Sequence, residues 1–189
     1  MKSDFNEDIT KALEVLRNGG IILYPTDTIW GIGCDASNPE AVEKIYKIKH
    51  RADSKSMLSL VGSDGQLQQF VSDVPEIAWE LIDAAVNPLT IIYDSPRGIA
   101  QNLLAEDGSA GFRITSEPFS RTLCCRLRKP LVSTSANISG KPSPSHFNEI
   151  SKEIIDAVDY VVGYGREKQN TAPSNIIKIS QSNVVTVIR

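Results

Sequence analysis

Short apolar runs that stop at glycine, proline or a cluster of hydroxyls alternate with amphipathic segments of helical period along nearly the whole chain. A chain so patterned buries itself as a sheet covered by helices, because neither kind of segment can hide its apolar side alone. Ile9, Ala12, Leu13 and Leu16 recur at helical spacing until Gly19-Gly20 interrupts them, and Asp4 with Glu7 has the spacing of a capping box. Residues 21–24 form a short apolar run before Pro25, the reading of a strand, and 26–37 read as a turn-rich stretch. Asn38-Pro39 is a cap followed by a first-turn proline, opening a helix whose inner face is Ala41, Val42, Ile45 and Ile48. Further on, 57–61, 89–93 and a run led by Leu131 and Val132 are expected strands, and 75–85, 119–127 and 147–157 expected helices. The helix over 75–85 would turn Ile77, Ala78, Leu81 and Ile82 inward. Late runs at 160–162, 175–179 and 184–188 read as strands, the last two close enough to pair antiparallel. The expectation is α/β: one domain over residues 1–189, with a twisted, open, mixed parallel and antiparallel sheet flanked by helices.

Composition narrows the function classes. The longest apolar runs fall far short of the roughly 20 residues a membrane helix needs, and the first residues are charged and polar, so a membrane or secreted protein is not expected. Three cysteines, Cys34, Cys124 and Cys125, form neither a disulfide framework nor a CxxC pair, which fits a reducing cytoplasm. Net charge is −3, against the basic excess of a broad nucleic-acid surface. Within residues 44–55, however, Lys44, Lys47, Lys49, Arg51 and Lys55 face Asp53 alone, and a concentrated cationic patch in an acidic chain marks a local anion site.

Three segments carry chemistry. In the first, residues 24–35, a strand runs into Thr26, Asp27, Thr28, Gly31 and Gly33, and glycines there let backbone N–H groups approach a ligand. Gly31, Gly33 and Ala36, with Asp53 further on, also satisfy a loose dinucleotide fingerprint, but that motif must open directly into its helix, whereas this helix starts only at Asn38-Pro39. In the second, Lys49 and Arg51 flank His50, a compact charge and a planar fork suited to phosphate and carboxylate; the alternative is that they offset a helix dipole. The third is Ser133-Thr134-Ser135-Ala136-Asn137-Ile138-Ser139-Gly140, a strand end rich in neutral donors, or else an ordinary solvated turn. With only His50 and His146 in the chain and no carboxylate signature beside either, a Ser-His triad is poorly supported. Isolated histidines and unpaired cysteines do not make a zinc site, so any magnesium would arrive with nucleotide phosphates. His146 and Cys124-Cys125 read as structural.

Taken in order, Pro25-Thr26-Asp27-Thr28 with Gly31-Ile32-Gly33-Cys34, then Lys49-x-Arg51, then the 133–140 string resemble the YrdC-like threonylcarbamoyl-AMP synthase family, in its short single-domain form. Gly111-Phe112-Arg113-Ile114, Pro88-Leu89-Thr90 and Pro173-Ser174-Asn175-Ile176 are weaker echoes. The resemblance implies a nucleotidyltransferase that uses ATP, L-threonine and bicarbonate to make L-threonylcarbamoyl-AMP and pyrophosphate, for modification of adenosine 37 in tRNA. It implies that Lys49, Arg51, Ser135 and Asn137 face the nucleotide phosphates, with Arg113 and Ser133 nearby and Ser174 on the nucleotide side. Thr28 and Arg51 would hold threonine, and Lys49 and Arg51 would be the catalytic pair. It implies magnesium only as brought with ATP, a tRNA threonylcarbamoyl-transfer complex downstream, and tRNA as a partner to be tested. The runner-up is a YrdC-like paralogue that binds RNA or nucleotide without this activity, against which the intact Ser135-x-Asn137 speaks. Departures from the family pattern are Asp27 in place of the commoner glutamate, Ser56-Met57 for Pro-Leu, Ala85-Val86-Asn87 for Trp-Pro-Gly, and Leu60 where longer members carry a histidine. These bear on amino-acid specificity more than on the nucleotide side.

Overall fold

The computed structural model describes residues 4–50, 57–169, 172–180 and 182–189. Asp4 accepts from Asn6 N and starts α1 (Phe5–Arg17), while Glu7 pairs with Lys11. The chain then forms β1 (Ile22–Tyr24), β2 (Gly31–Gly33) and α2 (Pro39–Ile48), whose N-cap Asn38 accepts from Glu40 N and Ala41 N. β3 (Leu58–Val61), α3 (Asp64–Phe70), α4 (Glu76–Ala84), β4 (Leu89–Tyr93) and β5 (Ala110–Ile114) follow. Then come α5 (Pro118–Leu127), β6 (Leu131–Ser135), α6 (Lys152–Ala157), β7 (Tyr160–Val161), β8 (Asn175–Ile179) and β9 (Val185–Val187).

The nine strands found among the described residues join one sheet in the order β7-β1-β2-β6-β3-β5-β4-β8-β9. Three neighbouring pairs, β1 with β7, β3 with β5 and β4 with β8, are parallel and the others antiparallel, so the mixed sheet is as expected. The expected antiparallel pairing of the last two strands is present, with Ile177 opposite Val187.

Strand alternation sorts side chains onto two faces. Ile22 and Tyr24 of β1, Leu60 of β3 and Leu131 of β6 pack with Phe119 and Leu123 of α5 and Ile9 and Leu13 of α1. The opposite face is filled by Leu23, Ile32 and Val132 against α2, and by Ile91, Tyr93 and Phe112 against α3 and the half-buried side of α4. Helices α1 and α5 therefore roof only one flank of their face. Beyond them the same face of β4, β5 and β6 presents Thr90, Arg113, Ser133 and Ser135, and that uncovered floor is where the cavity lies.

Several elements depart from the sequence expectation. Residues 31–33 lie in the stretch read as turn, yet form β2, wedged antiparallel between β1 and β6. Its glycines are demanded by proximity: a Cβ on Gly33 would sit 2.4 Å from Val132 O and 2.7 Å from Tyr24 Cε1. β5 and α3 were not anticipated; α3 is capped by Ser63, which accepts from Gln66 N. The helix expected over 147–157 is a 3-10 turn (Phe147–Glu149) followed by α6, because Ser151 caps a fresh start by accepting from Ile154 N. On α2 the fourth fully buried side chain is Tyr46 rather than Ile48, and on α4 only Ala78 is fully buried. The three cysteines are free.

Candidate functional site

A cavity of about 270 Å³ opens over the floor of β4, β5 and β6. Thr28, Arg113, Ser133, Ser135 and Ser174 all line it, so the structure brings together five residues that are scattered over 147 positions of sequence, from 28 to 174. Register explains the convergence. Leu58 of β3 lies opposite Ser133 of β6, Gly31 of β2 opposite Ser135, and Leu60 beside Arg113 of β5, which sets these side chains in one belt across the sheet.

Arg113 is the central charge. It is 3% exposed, its Nη2 lies 2.9 Å from Asp27 Oδ1 and donates to Thr28 Oγ1 at 3.3 Å. Its Nε has no hydrogen-bond partner among the described residues. A buried cation with an unsatisfied donor beside a cavity is suited to an anionic guest. The hydroxyl of Ser174 is 2.8 Å from that of Thr90, and either can donate.

Arg189 also lines the cavity, with Nε and Nη2 donating to Ser174 O at 3.3 and 3.1 Å. Sequence reasoning missed this second cation, as it missed Trp30, Met57 and Ser143 on the wall. The available signal was slight: Arg189 is a lone basic residue just past the last apolar run, and nothing local ties it to Ser174.

Lys49 and Asn137, expected to face the phosphates, are placed at the turn behind the cavity wall. Neither is among the residues lining the cavity. Lys49 caps α2 and is 2% exposed; its Nζ donates to the carbonyls of Ser135 and of Asn137, the latter at 2.7 Å, and its own carbonyl accepts from Ser139 N at 3.0 Å. A buried ammonium needs acceptors, and the loop after β6 supplies them, so Lys49 clamps the hydroxyl-rich turn from behind. The Asn137 amide donates to Lys141 O at 2.6 Å and Ile138 O at 3.2 Å, bracing the same turn, while its Oδ1 is buried without a partner. Arg51, with Asp53, Lys55 and Ser56, lies outside the described residues. Lys44 donates to Gly19 O.

Other chemistries weighed from the sequence lose ground. Gly31 and Gly33 lie in a strand antiparallel to both neighbours, where a dinucleotide fold would have a parallel strand turning into a helix. Neither histidine lines the cavity; His50 meets Glu153 at the surface. Burial pushes the Cys34 and Cys124 thiols far above their ordinary range, so neither supplies a thiolate near neutral pH. Among the described residues there is no cluster of three or more His, Cys, Asp or Glu side chains placed to hold a metal, nor any helix long and apolar enough to cross a membrane.

Comparison with known proteins bears on this geometry. The Sua5/YciO/YrdC family model, described as "Telomere recombination", matches residues 14–189. A Methanocaldococcus jannaschii protein that carries a provisional threonylcarbamoyl-AMP synthase name is 39% identical over 186 residues, 96% of this chain and 86% of that one. The threonylcarbamoyl-AMP synthase of Pseudoalteromonas translucida is 32% identical over 171 residues, 89% of this chain and 91% of that one. Among solved structures, Escherichia coli YciO superposes with a TM-score of 0.83 at 26% identity, covering 98% of this chain and 89% of that one. Pyrococcus abyssi Sua5 complexed with L-threonine gives 0.84 at 22% identity; there 94% of this chain is covered but 52% of the Sua5 chain, so the likeness spans about half of that longer protein. The fold, the matched family model and these relatives agree: the chain belongs to the Sua5/YciO/YrdC family.

Proposed function

We propose that the protein is an L-threonylcarbamoyl-AMP synthase, joining L-threonine, bicarbonate and ATP with release of pyrophosphate to supply threonylcarbamoyl modification of adenosine 37 in tRNA. The observation that carries the reading is the cavity itself, a buried arginine with an unsatisfied donor ringed by the hydroxyls of Thr28, Ser133, Ser135 and Ser174. The synthase names of the relatives support it.

The chemistry asks for this kind of site. Threonine's amine adds to the carbon of bicarbonate and water leaves, giving a carbamate. A carbamate oxygen then attacks the α-phosphorus of ATP, and the bond to the β-phosphate oxygen breaks as pyrophosphate departs. The substrates provide nucleophile and leaving group, so the protein's part is to align anions and offset developing charge. Arg113 and Arg189 contribute the charge, the four hydroxyls orient oxygens without adding any, and Thr28 and Arg51 hold threonine. Lys49 and Asn137 keep the 135–141 turn in shape behind them. Magnesium, carried on the ATP phosphates, offsets further charge when bound. We place the protein in the cytoplasm, handing its product to a tRNA-modifying transferase complex, with tRNA contact as part of the same reading.

Pyrophosphate release measured with each substrate omitted in turn tests this. Release should need threonine and bicarbonate together; equal ATP turnover without threonine would overturn the assignment.

A further inference from the structure

We propose that Asp27 is a positioning residue whose carboxylate fixes the Arg113 guanidinium in the orientation that serves a bound anion; this rests on the cavity being the ATP site. The ion pair is buried at both ends, with side chains 2% and 7% exposed and 2.9 Å between Nη2 and Oδ1. Asp27 sits in the turn joining β1 to β2, and that turn is itself cross-braced. Thr26 Oγ1 donates to Ile29 O at 2.7 Å, accepts from Thr28 N at 3.0 Å and lies 3.0 Å from Thr28 Oγ1, which in turn accepts from Arg113. The Nη2 corner of the guanidinium thus lies against this turn as a close ion pair, without hydrogen-bond geometry at Asp27 Oδ1, and Nε has no hydrogen-bond partner among the described residues.

The surroundings of Asp27 sharpen the claim. A separate cavity of about 210 Å³ abuts it, walled mainly by apolar side chains including Ile82, Leu89, Ile91 and Phe112. Among the described residues no cation lines that cavity, and the ion-pair partner of Asp27 is Arg113 on its other side. The open space beside Asp27 is where the extra methylene of a glutamate would have to go, so Asp27→Glu keeps the carboxylate and asks whether it still meets Arg113.

Two physical effects of removing this carboxylate oppose each other. If Asp27 contributed only its negative charge to the potential of the site, Asp27→Asn would make the cavity more positive and tighten anion binding. If it holds the fork in place, the same change lets the guanidinium turn and weakens binding. The experiment compares ATP Kd by calorimetry, kcat and KM for pyrophosphate release, and melting temperature in wild type, Asp27→Asn and Asp27→Glu. Positioning predicts a loss of roughly tenfold or more in ATP affinity for Asp27→Asn and recovery in Asp27→Glu. Unchanged or tighter ATP binding by folded Asp27→Asn, or a glutamate no better than the amide, would sink the proposal.

An unpaired buried guanidinium can itself destabilise the amide variant, so the cycle is closed with Arg113→Met and the double variant, which carries no charge at this pair. A residue that acts only through Arg113 adds no further loss of ATP affinity on top of Arg113→Met; an added loss overturns the role. A wild type that binds ATP yet releases no pyrophosphate would defeat the synthase reading while the Kd contrast still decides the role of Asp27.

Discussion

At the scale of single residues, the site separates side chains that line the cavity from those that shape its walls. Lys49 belongs to the second group, since it is buried and its ammonium meets the carbonyls of the half-buried Ser135 and Asn137. Lys49→Ala removes the donor and leaves two carbonyls to find water or go unsatisfied, which costs about 1–3 kcal/mol. Both stability and pyrophosphate release should fall. Lys44 lies in the same basic run but is exposed and donates to Gly19 O, so Lys44→Ala should stay within about 0.5 kcal/mol of wild type with unchanged turnover. Denaturant unfolding and the pyrophosphate assay on the two variants decide the matter: equal behaviour would return the cluster to an ordinary solvated helix end. In the sequence, Lys49 and Asn137 were legible as important by motif but not as clamps, because which way an ammonium turns depends on a loop some 86 residues away.

At the scale of elements, legibility followed how far each element's cause lies from it. α1, α2 and α5 were readable because their caps and apolar periods, with a first-turn proline in α2 and α5, sit within or beside each element. β2 was not, since three residues with two glycines carry no strand signal; Gly31–Gly33 is a strand because β1 and β6 hold it from both sides. That dependence gives a test. Gly33→Ala drives a methyl into Val132 O and the Tyr24 ring, contacts that backbone cannot yield cheaply, and should destabilise by on the order of 2–3 kcal/mol. Gly65 has nothing within 4 Å of a Cβ and lies inside α3, so Gly65→Ala should stabilise by about 0.5–1 kcal/mol. Opposite signs in urea midpoints are expected. A tolerated Gly33→Ala would mean that β2 is not seated as tightly as its register shows.

At the scale of the whole molecule, the site is a property of strand order rather than of any motif. Local period reads helices and strands but not that β3 lies between β5 and β6, and it is that order which carries Arg113 to Ser133 and Thr28. The same burial sets how the fold answers to alkali. Tyr24 and Tyr93 are 0% and 2% exposed, and burial, the largest cause for each, pushes both phenols well above the ordinary 10.0. Tyr160 moves the same way, through burial first and then its hydrogen bond to Asp8, but it is partly exposed and counts for less. A group whose folded pKa is raised contributes stability in full below its unfolded value and loses it as pH climbs toward the folded one. Above pH 10 the unfolded chain sheds phenol protons that the native state keeps, so stability falls with pH. The slope is at most about 1.4 kcal/mol per pH unit for each of the two buried phenols. Absorbance titration near 295 nm should therefore show fewer than the chain's five tyrosines ionised at pH 11 in the native protein, and all of them once denaturant is added. Chemical unfolding at pH 9, 10 and 11 should show the free energy declining across the last step. If all five phenols titrated together near 10 without unfolding, the packing of β1 under α1 and α5, and of β4 under α3 and α4, would be looser than this fold requires.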